Sequence, residues 1–298
     1  MMSSLSTQTV QDDIRLTVHG LQDLPAISPM STKLLGVIGD DSISIHQLAD
    51  IIRQDASLGA RIIGLANSAY FAQREPISSV EDAIFKALGL RLTQNMALGI
   101  ALSGPFNSQV HCAAFDMHSF WLKAVLTANL AQGICKLVRA DFKVDIDMAY
   151  LAGLLHELGL LPLVYLFPEQ MNTYFTSRIT RHEHLREILR KELGTDQHEV
   201  GAWLAMNWQI PPAIVDVIAH HAEPDYDGEH TLLVLLIRCC SHWAILYMDD
   251  GIWDRLPEEA EALLEYTGID RNEMLKVLKQ QHLKFEAMES MAHELVES

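Results

Sequence analysis

A chain of 298 residues, 49% apolar and 20% charged, has material for one large domain or two modest ones, and its balance is that of a globular rather than a disordered protein. Its 22 Lys and Arg stand against 39 Asp and Glu, giving a net charge of −17 that repels polyphosphate and disfavours direct nucleic-acid binding. The four cysteines, Cys112, Cys135, Cys239 and Cys240, have no CxxC spacing, and the N-terminus has neither a basic nor an apolar leader region. A reducing cytoplasm is the expected compartment.

Residues 1–15 read as a polar tail. Beyond them apolar residues recur at helical rather than alternating spacing, which predicts an all-α fold. Ser44 caps a helix carrying Leu48, Ile51 and Ile52, and Asp55 caps one carrying Leu58, Ile62, Ile63 and Ala66. Ser79 with Asp82 makes a capping-box pattern, and Gly89 offers a stop after Leu88. Turn residues around Ser103–Ala114 predict a hinge. A second region opens near Phe120, where Trp121, Ala124, Val125, Ala128, Ala131, Ile134, Leu137 and Val138 define one buried stripe.

The run Met148–Phe167 is apolar over roughly the 20 residues that a bilayer requires. It also carries His156 and Glu157 at its centre and Pro162 beyond them, a polar load suited to a protein core, so no membrane insertion is expected. Further helices are expected at about 148–166, 182–193, 196–208, 212–221 and 231–248, with Pro211 and Pro212 as a start signal. Arg178, Arg181, Arg186, Arg190 and Lys191 interleave with Glu183, Glu187 and Glu192, the pattern of a solvated helix face. Residues 223–298 read as a helical extension, acidic over Glu258–Leu295, packing on the second helical region, 115–222.

Sequence motifs exclude several chemistries. Gly99 and Gly104 have the outer spacing of a P-loop, but Pro105 and Phe106 stand where lysine and a hydroxyl must be. HExxH fails after His156, His182 and His198, and no GxSxG or GxGxxG is present. Histidines on separate segments remain: His156 with Glu157, then His198, then His220 and His221. An imidazole on an apolar helix is more often a hydrogen-bonded core residue than a ligand. Several such residues with a carboxylate can also converge on one cation.

The stretch from Leu24-Pro25 through Gln54-Asp55-x-x-Leu58, Leu65-Ala66-Asn67-Ser68 and Ile77-Ser78-Ser79-Val80 resembles the N-terminal half of an HDOD domain. Phe120-Trp121, AYLAGLLHELG, Phe167-Pro168-Glu169 and HEVGAWLAMNWQIPPAIVDVIAHH are similar to its second half. The resemblance implies two packed helical subdomains, 16–110 and 115–222, the second a degenerate HD-domain bundle. It also implies kinship with the HD and HD-GYP metal phosphohydrolases.

Carried over position by position, the resemblance puts Lys123 where those enzymes have their first histidine and His156-Glu157 where they have His-Asp. It puts Leu160 where HD-GYP enzymes have a lysine, and Cys240, within Cys239–His242, where the late aspartate would stand. His198, His220 and His221 align with the additional histidines of HD-GYP sites; the GYP motif is missing. His156 and Glu157 are expected to pair inside the former site while the other histidines bond to backbone.

The resemblance therefore implies a non-catalytic signalling module, with no cofactor, that binds a protein partner or a small ligand; a homodimer is one arrangement the sequence allows. Candidate surfaces are the groove between subdomains and the acidic C-terminal helices. The alternative is a divergent phosphohydrolase acting on a nucleotide or cyclic dinucleotide, with Fe, Mn or Zn held by His156, Glu157, His198, His220 and His221.

Overall fold

A computed structural model describes residues 25–40, 42–107, 112–142, 144–176 and 182–296. The tail expected at 1–15, Leu24, Arg178 and Arg181 lie outside these residues. Among the described residues every regular element is helical.

The N-terminal half comprises α1 (Pro29–Leu35), α2 (Ile45–Ile52), α3 (Ala56–Asn67), the short α4 (Val80–Asp82) running into a π-helical turn (Ala83–Leu88), and α5 (Leu90–Asn107). The local signals act as expected. Ser44 accepts from the Gln47 amide while the Gln47 side chain accepts from the Ser44 amide, and Asp55 accepts from the amides of Ser57 and Leu58. Gly89 ends the π-turn at φ 74°, a conformation that costs glycine little.

The hinge expected at 103–114 is corrected in its first part: α5 continues through Pro105 to Asn107. Proline has no N–H for the carbonyl four residues back. That carbonyl belongs to Ala101, and it accepts instead from the Ser31 hydroxyl of α1 at 3.3 Å. The orphaned acceptor thus becomes a tie between two helices.

The second half is built around α6 (Met117–Cys135), capped by Asp116. Its predicted single stripe is also corrected. Leu122, Lys123, Leu126, Thr127, Asn129 and Leu130 are buried along with Trp121, Ala124, Val125, Ala128, Ala131 and Ile134, so the middle of the helix is enclosed on all sides, while Leu137 and Val138 lie beyond its end and are half-buried. Around it stand α7 (Ile146–Leu155), α8 (Leu160–Leu166), α9 (Pro168–Thr176), α10 (His182–Leu193), α11 (Gln197–Asn207), α12 (Pro212–His220) and α13 (Thr231–Asp250). The apolar run at 148–166 is therefore two helices. Ile146–Leu166 is 83% buried inside the protein and Thr231–Asp250 67%, the placement of core helices.

The extension forms α14 (Ala260–Thr267), α15 (Arg271–His282) and α16 (Phe285–Val296). The last of these rests on both halves. It packs against α6, and it also packs against α3, where Arg61 donates to the Leu295 carbonyl, and just past the end of α3 the Ala69 amide donates to the Ser290 hydroxyl. Met288, Met291, Ala292 and Leu295 are fully buried beneath it in one continuous core.

Candidate functional site

Two close helix approaches bring the predicted residues together. At Gly153 of α7, an added methyl would lie 2.5 Å from the Ala128 Cα of α6, so only glycine permits this crossing. Gly159, just before α8, lies against Gly201 of α11, where an added methyl would sit 2.6 Å from the Gly201 nitrogen. The first approach sets the end of α7 beside Lys123, and the second draws α11 and His198 inward.

Lys123 and Glu157 meet. The ammonium donates to Glu157 Oε1 at 2.6 Å, with side chains only 5% and 13% exposed. Such a pair is stabilised by mutual attraction and opposed by desolvation, and loss of either member leaves a charge in a poor solvent. Leu160 is buried beside the pair.

His156 does not bond to Glu157, contrary to expectation. Its Nδ1 lies 2.7 Å from the Gly153 carbonyl and its Nε2 3.1 Å from the Ser241 hydroxyl. A carbonyl can only accept, so Nδ1 carries the proton and Nε2 accepts from Ser241. Consecutive helical residues project about 100° apart, which turns Glu157 toward α6 and His156 toward α13.

The position on α13 that faces His156 is thus Ser241 rather than Cys240. Cys240 is buried with Cys239 and Cys135 as its titratable neighbours, and burial raises its thiol well above the ordinary range.

His198 and His221 join His156 in one cluster. The His221 ring centroid lies 5.1 Å from that of His156 and 4.7 Å from that of His198. Both bond to backbone as expected: His198 Nδ1–H donates to the Ile218 carbonyl at 3.0 Å and His221 Nδ1–H to the Val217 carbonyl at 2.8 Å. His198 Nε2 accepts from the Gln197 amide at 3.1 Å. Burial, which disfavours the imidazolium, lowers all three pKa values, that of His156 to about 4.

His220 lies outside this cluster. It contacts Glu223 at 2.9 Å and stacks on Tyr226.

A residue outside the expected set orders this region. Asp196, with a fully buried side chain, accepts from the amides of His198 and Glu199 at the start of α11. Its second oxygen accepts from Arg186 at 3.0 Å and Arg190 at 2.6 Å. These arginines are therefore clamps on a buried carboxylate, which corrects the reading of them as a purely solvated face. The TDQHE sequence carried the helix-cap signal, and Arg186 and Arg190 one turn apart carried the rest.

The donor set does not fit the divalent ion of HD-type hydrolases. An ammonium lies 2.6 Å from the carboxylate of the His-Glu doublet, and the Nε2 atoms of His156 and His198 are already hydrogen-bonded. Among the described residues no group of three or more His, Cys, Asp or Glu is arranged to hold an ion.

A family model for the HDOD domain matches residues 24–224, two thirds of the chain and all of the region just described except the residues on α13. The chain belongs to the HDOD domain family. An uncharacterized protein of Treponema pallidum (strain Nichols) is 23% identical over 264 residues, covering 87% of this chain and 49% of the relative. The chain thus spans about half the length of that curated relative.

Solved structures share the fold. A candidate signal transduction protein from Marinobacter aquaeolei VT8 superposes with a TM-score of 0.80 at 23% identity, over 97% of this chain and 66% of that one. An HDOD domain protein of unknown function from Geobacter sulfurreducens gives 0.74 at 22%, over 97% and 98%. A candidate phosphohydrolase from Shewanella amazonensis SB2B gives 0.72 at 22%, over 95% and 97%. The HDOD chain is thus an HD-like helical module whose C-terminal helices share in a fold that extends past the matched domain.

Proposed function

We propose that this HDOD protein is a cytoplasmic regulatory module that works by binding, to a signalling protein or a small ligand, and does not hydrolyse phosphate esters. The observation that carries this reading is the buried Lys123–Glu157 pair. Hydrolysis in HD enzymes depends on a metal that activates water, which needs ligands whose lone pairs are available and an open coordination position. Here a fixed positive charge holds the carboxylate, and Leu160 offers no charge to a phosphoryl group. Protein partners rather than nucleic acids suit a surface with a net charge of −17.

The test is turnover of bis(p-nitrophenyl) phosphate and of a cyclic dinucleotide by protein purified without chelator and supplied in turn with Mn²⁺, Fe²⁺ and Zn²⁺. The expected result is no turnover above the metal-only control. Hydrolysis that disappears in His156→Ala, with stoichiometric metal in the parent protein, would establish the phosphohydrolase alternative.

A further inference from the structure

Over the Lys123–Glu157 pair lies a cavity of about 160 Å³, walled by the segment preceding α6, by α6 itself, by α9 and by the last turns of α13. An apolar cavity of about 150 Å³ accepts benzene. One aromatic ring or a compact alkyl group therefore fills the space.

Three phenylalanines stand in the wall. The Phe115 ring centroid is 5.9 Å from that of Phe120 and 5.6 Å from that of Phe175, both pairs tilted. Aromatic faces carry the negative end of the ring quadrupole and attract cations.

The charged groups reinforce that preference. Asp116, Glu157 and Asp249 line the cavity together with one ammonium, Lys123, so the lining carries three negative charges and one positive, a net −2. Burial pushes the Asp116 pKa up, but the Ser119 hydroxyl and the amides of His118 and Ser119 outweigh it and hold the carboxyl below its usual range. Lys123 is engaged by Glu157 and is poorly placed to receive an anion. Asp249 is exposed at the end of α13, and its side chain has no hydrogen bond or ion pair among the described residues.

We propose that this cavity binds a small organic cation, an alkyl- or arylammonium whose apolar body lies among Phe115, Phe120 and Phe175 and whose charged end faces Asp249. The ammonium of Lys123 at the floor orients the ligand, repelling its charge toward the rim. The inference rests on the non-catalytic reading in one respect: the Lys123–Glu157 pair must remain closed for the floor to exist.

Isothermal titration of the full chain with benzyltrimethylammonium, benzyl alcohol and benzoate tests the site by shape and by charge together. The expected result is saturable 1:1 binding of the cation, about 5-fold weaker binding of the neutral alcohol, and no binding of benzoate. Asp249→Asn, a change at an exposed position, should weaken the cation about 3-fold or more at low salt and leave the alcohol unchanged. Phe175→Ala should weaken both.

Benzoate binding as tightly as the cation, no saturable heat from the cation, or a cation affinity untouched by Asp249→Asn would each overturn the proposal. Phosphodiester turnover by the same protein would instead remove the regulatory reading, and the titration would still report on the cation.

Discussion

Replacing Lys123 by Met removes the ammonium and keeps much of the apolar stem, so its effect isolates the charge. Glu157 is left 13% exposed, close to Leu160 and apolar side chains, and no longer has the ammonium 2.6 Å away. Breaking a buried pair from one side costs about 3–5 kcal/mol, whereas exchanging both members for apolar residues of similar volume is often neutral or stabilising. Lys123→Met should therefore lose about 3–5 kcal/mol, and Lys123→Met with Glu157→Leu should return to within about 1 kcal/mol of the parent.

The assay is urea unfolding followed by far-UV circular dichroism at pH 7.5, with Glu157→Leu completing a double-mutant cycle. A single-variant loss below about 1 kcal/mol, or a double variant that loses the sum of the two singles, would refute the argument that the charges are coupled in a poor solvent. Either result would return Glu157 to the pool of carboxylates open to a metal.

Further predictions concern the surroundings of the pair. The buried imidazole of His156 has its pKa lowered by burial, with Glu157 opposing and Lys123 adding, from the ordinary 6.5 to about 4. Below pH 6.5 the unfolded chain takes up a proton that the folded chain refuses until about pH 4. Stability is thus complete above pH 6.5 and falls as the pH drops toward 4, with His156 alone contributing about 3 kcal/mol to the loss. His198 and His221 are lowered by burial too and deepen the same decline. A urea midpoint that stays flat between pH 6.5 and 5 would contradict this.

Gly153→Ala should cost about 1–3 kcal/mol in thermal unfolding because its methyl meets the Ala128 backbone. Asp196→Ala removes a helix cap and the acceptor for two arginines, and should cost about 3 kcal/mol; a loss under about 1 kcal/mol would make the arginine contacts incidental. Leu295→Ala, at a fully buried position, should cost about 2–5 kcal/mol and make hydrogen exchange faster in α3 as well as in α6.

Most of the element sequence was legible because its signals are local. Ser44, Asp55 and Ser79 act through their own side chains on amides two or three residues ahead, so the sequence carries the whole interaction. Pro105 misled for the opposite reason. The carbonyl that Pro105 leaves without its amide is satisfied by a hydroxyl 70 residues upstream, which no window around Pro105 contains.

Where the resemblance put a position one residue away from the side chain that faces the cluster, the difference on a helix is a rotation of about 100°. That is enough to exchange Ser241 for Cys240 and to separate Glu157 from His156. The Lys123–Glu157 bond itself depends on a crossing set by Gly153 and Ala128. Neither residue advertises a long-range role when read alone.

The bond from Arg61 to the Leu295 carbonyl joins residues 234 apart in sequence, and it has a consequence for the order of assembly during synthesis. A ribosome adding about 5–20 residues per second leaves α3 waiting roughly 10–50 s for the helix that covers it. Through that interval the first half of the nascent chain presents an uncovered seam to the cell, and any chaperone that recognises it has a defined time in which to act. Covering of that seam is therefore gated by translation of α16.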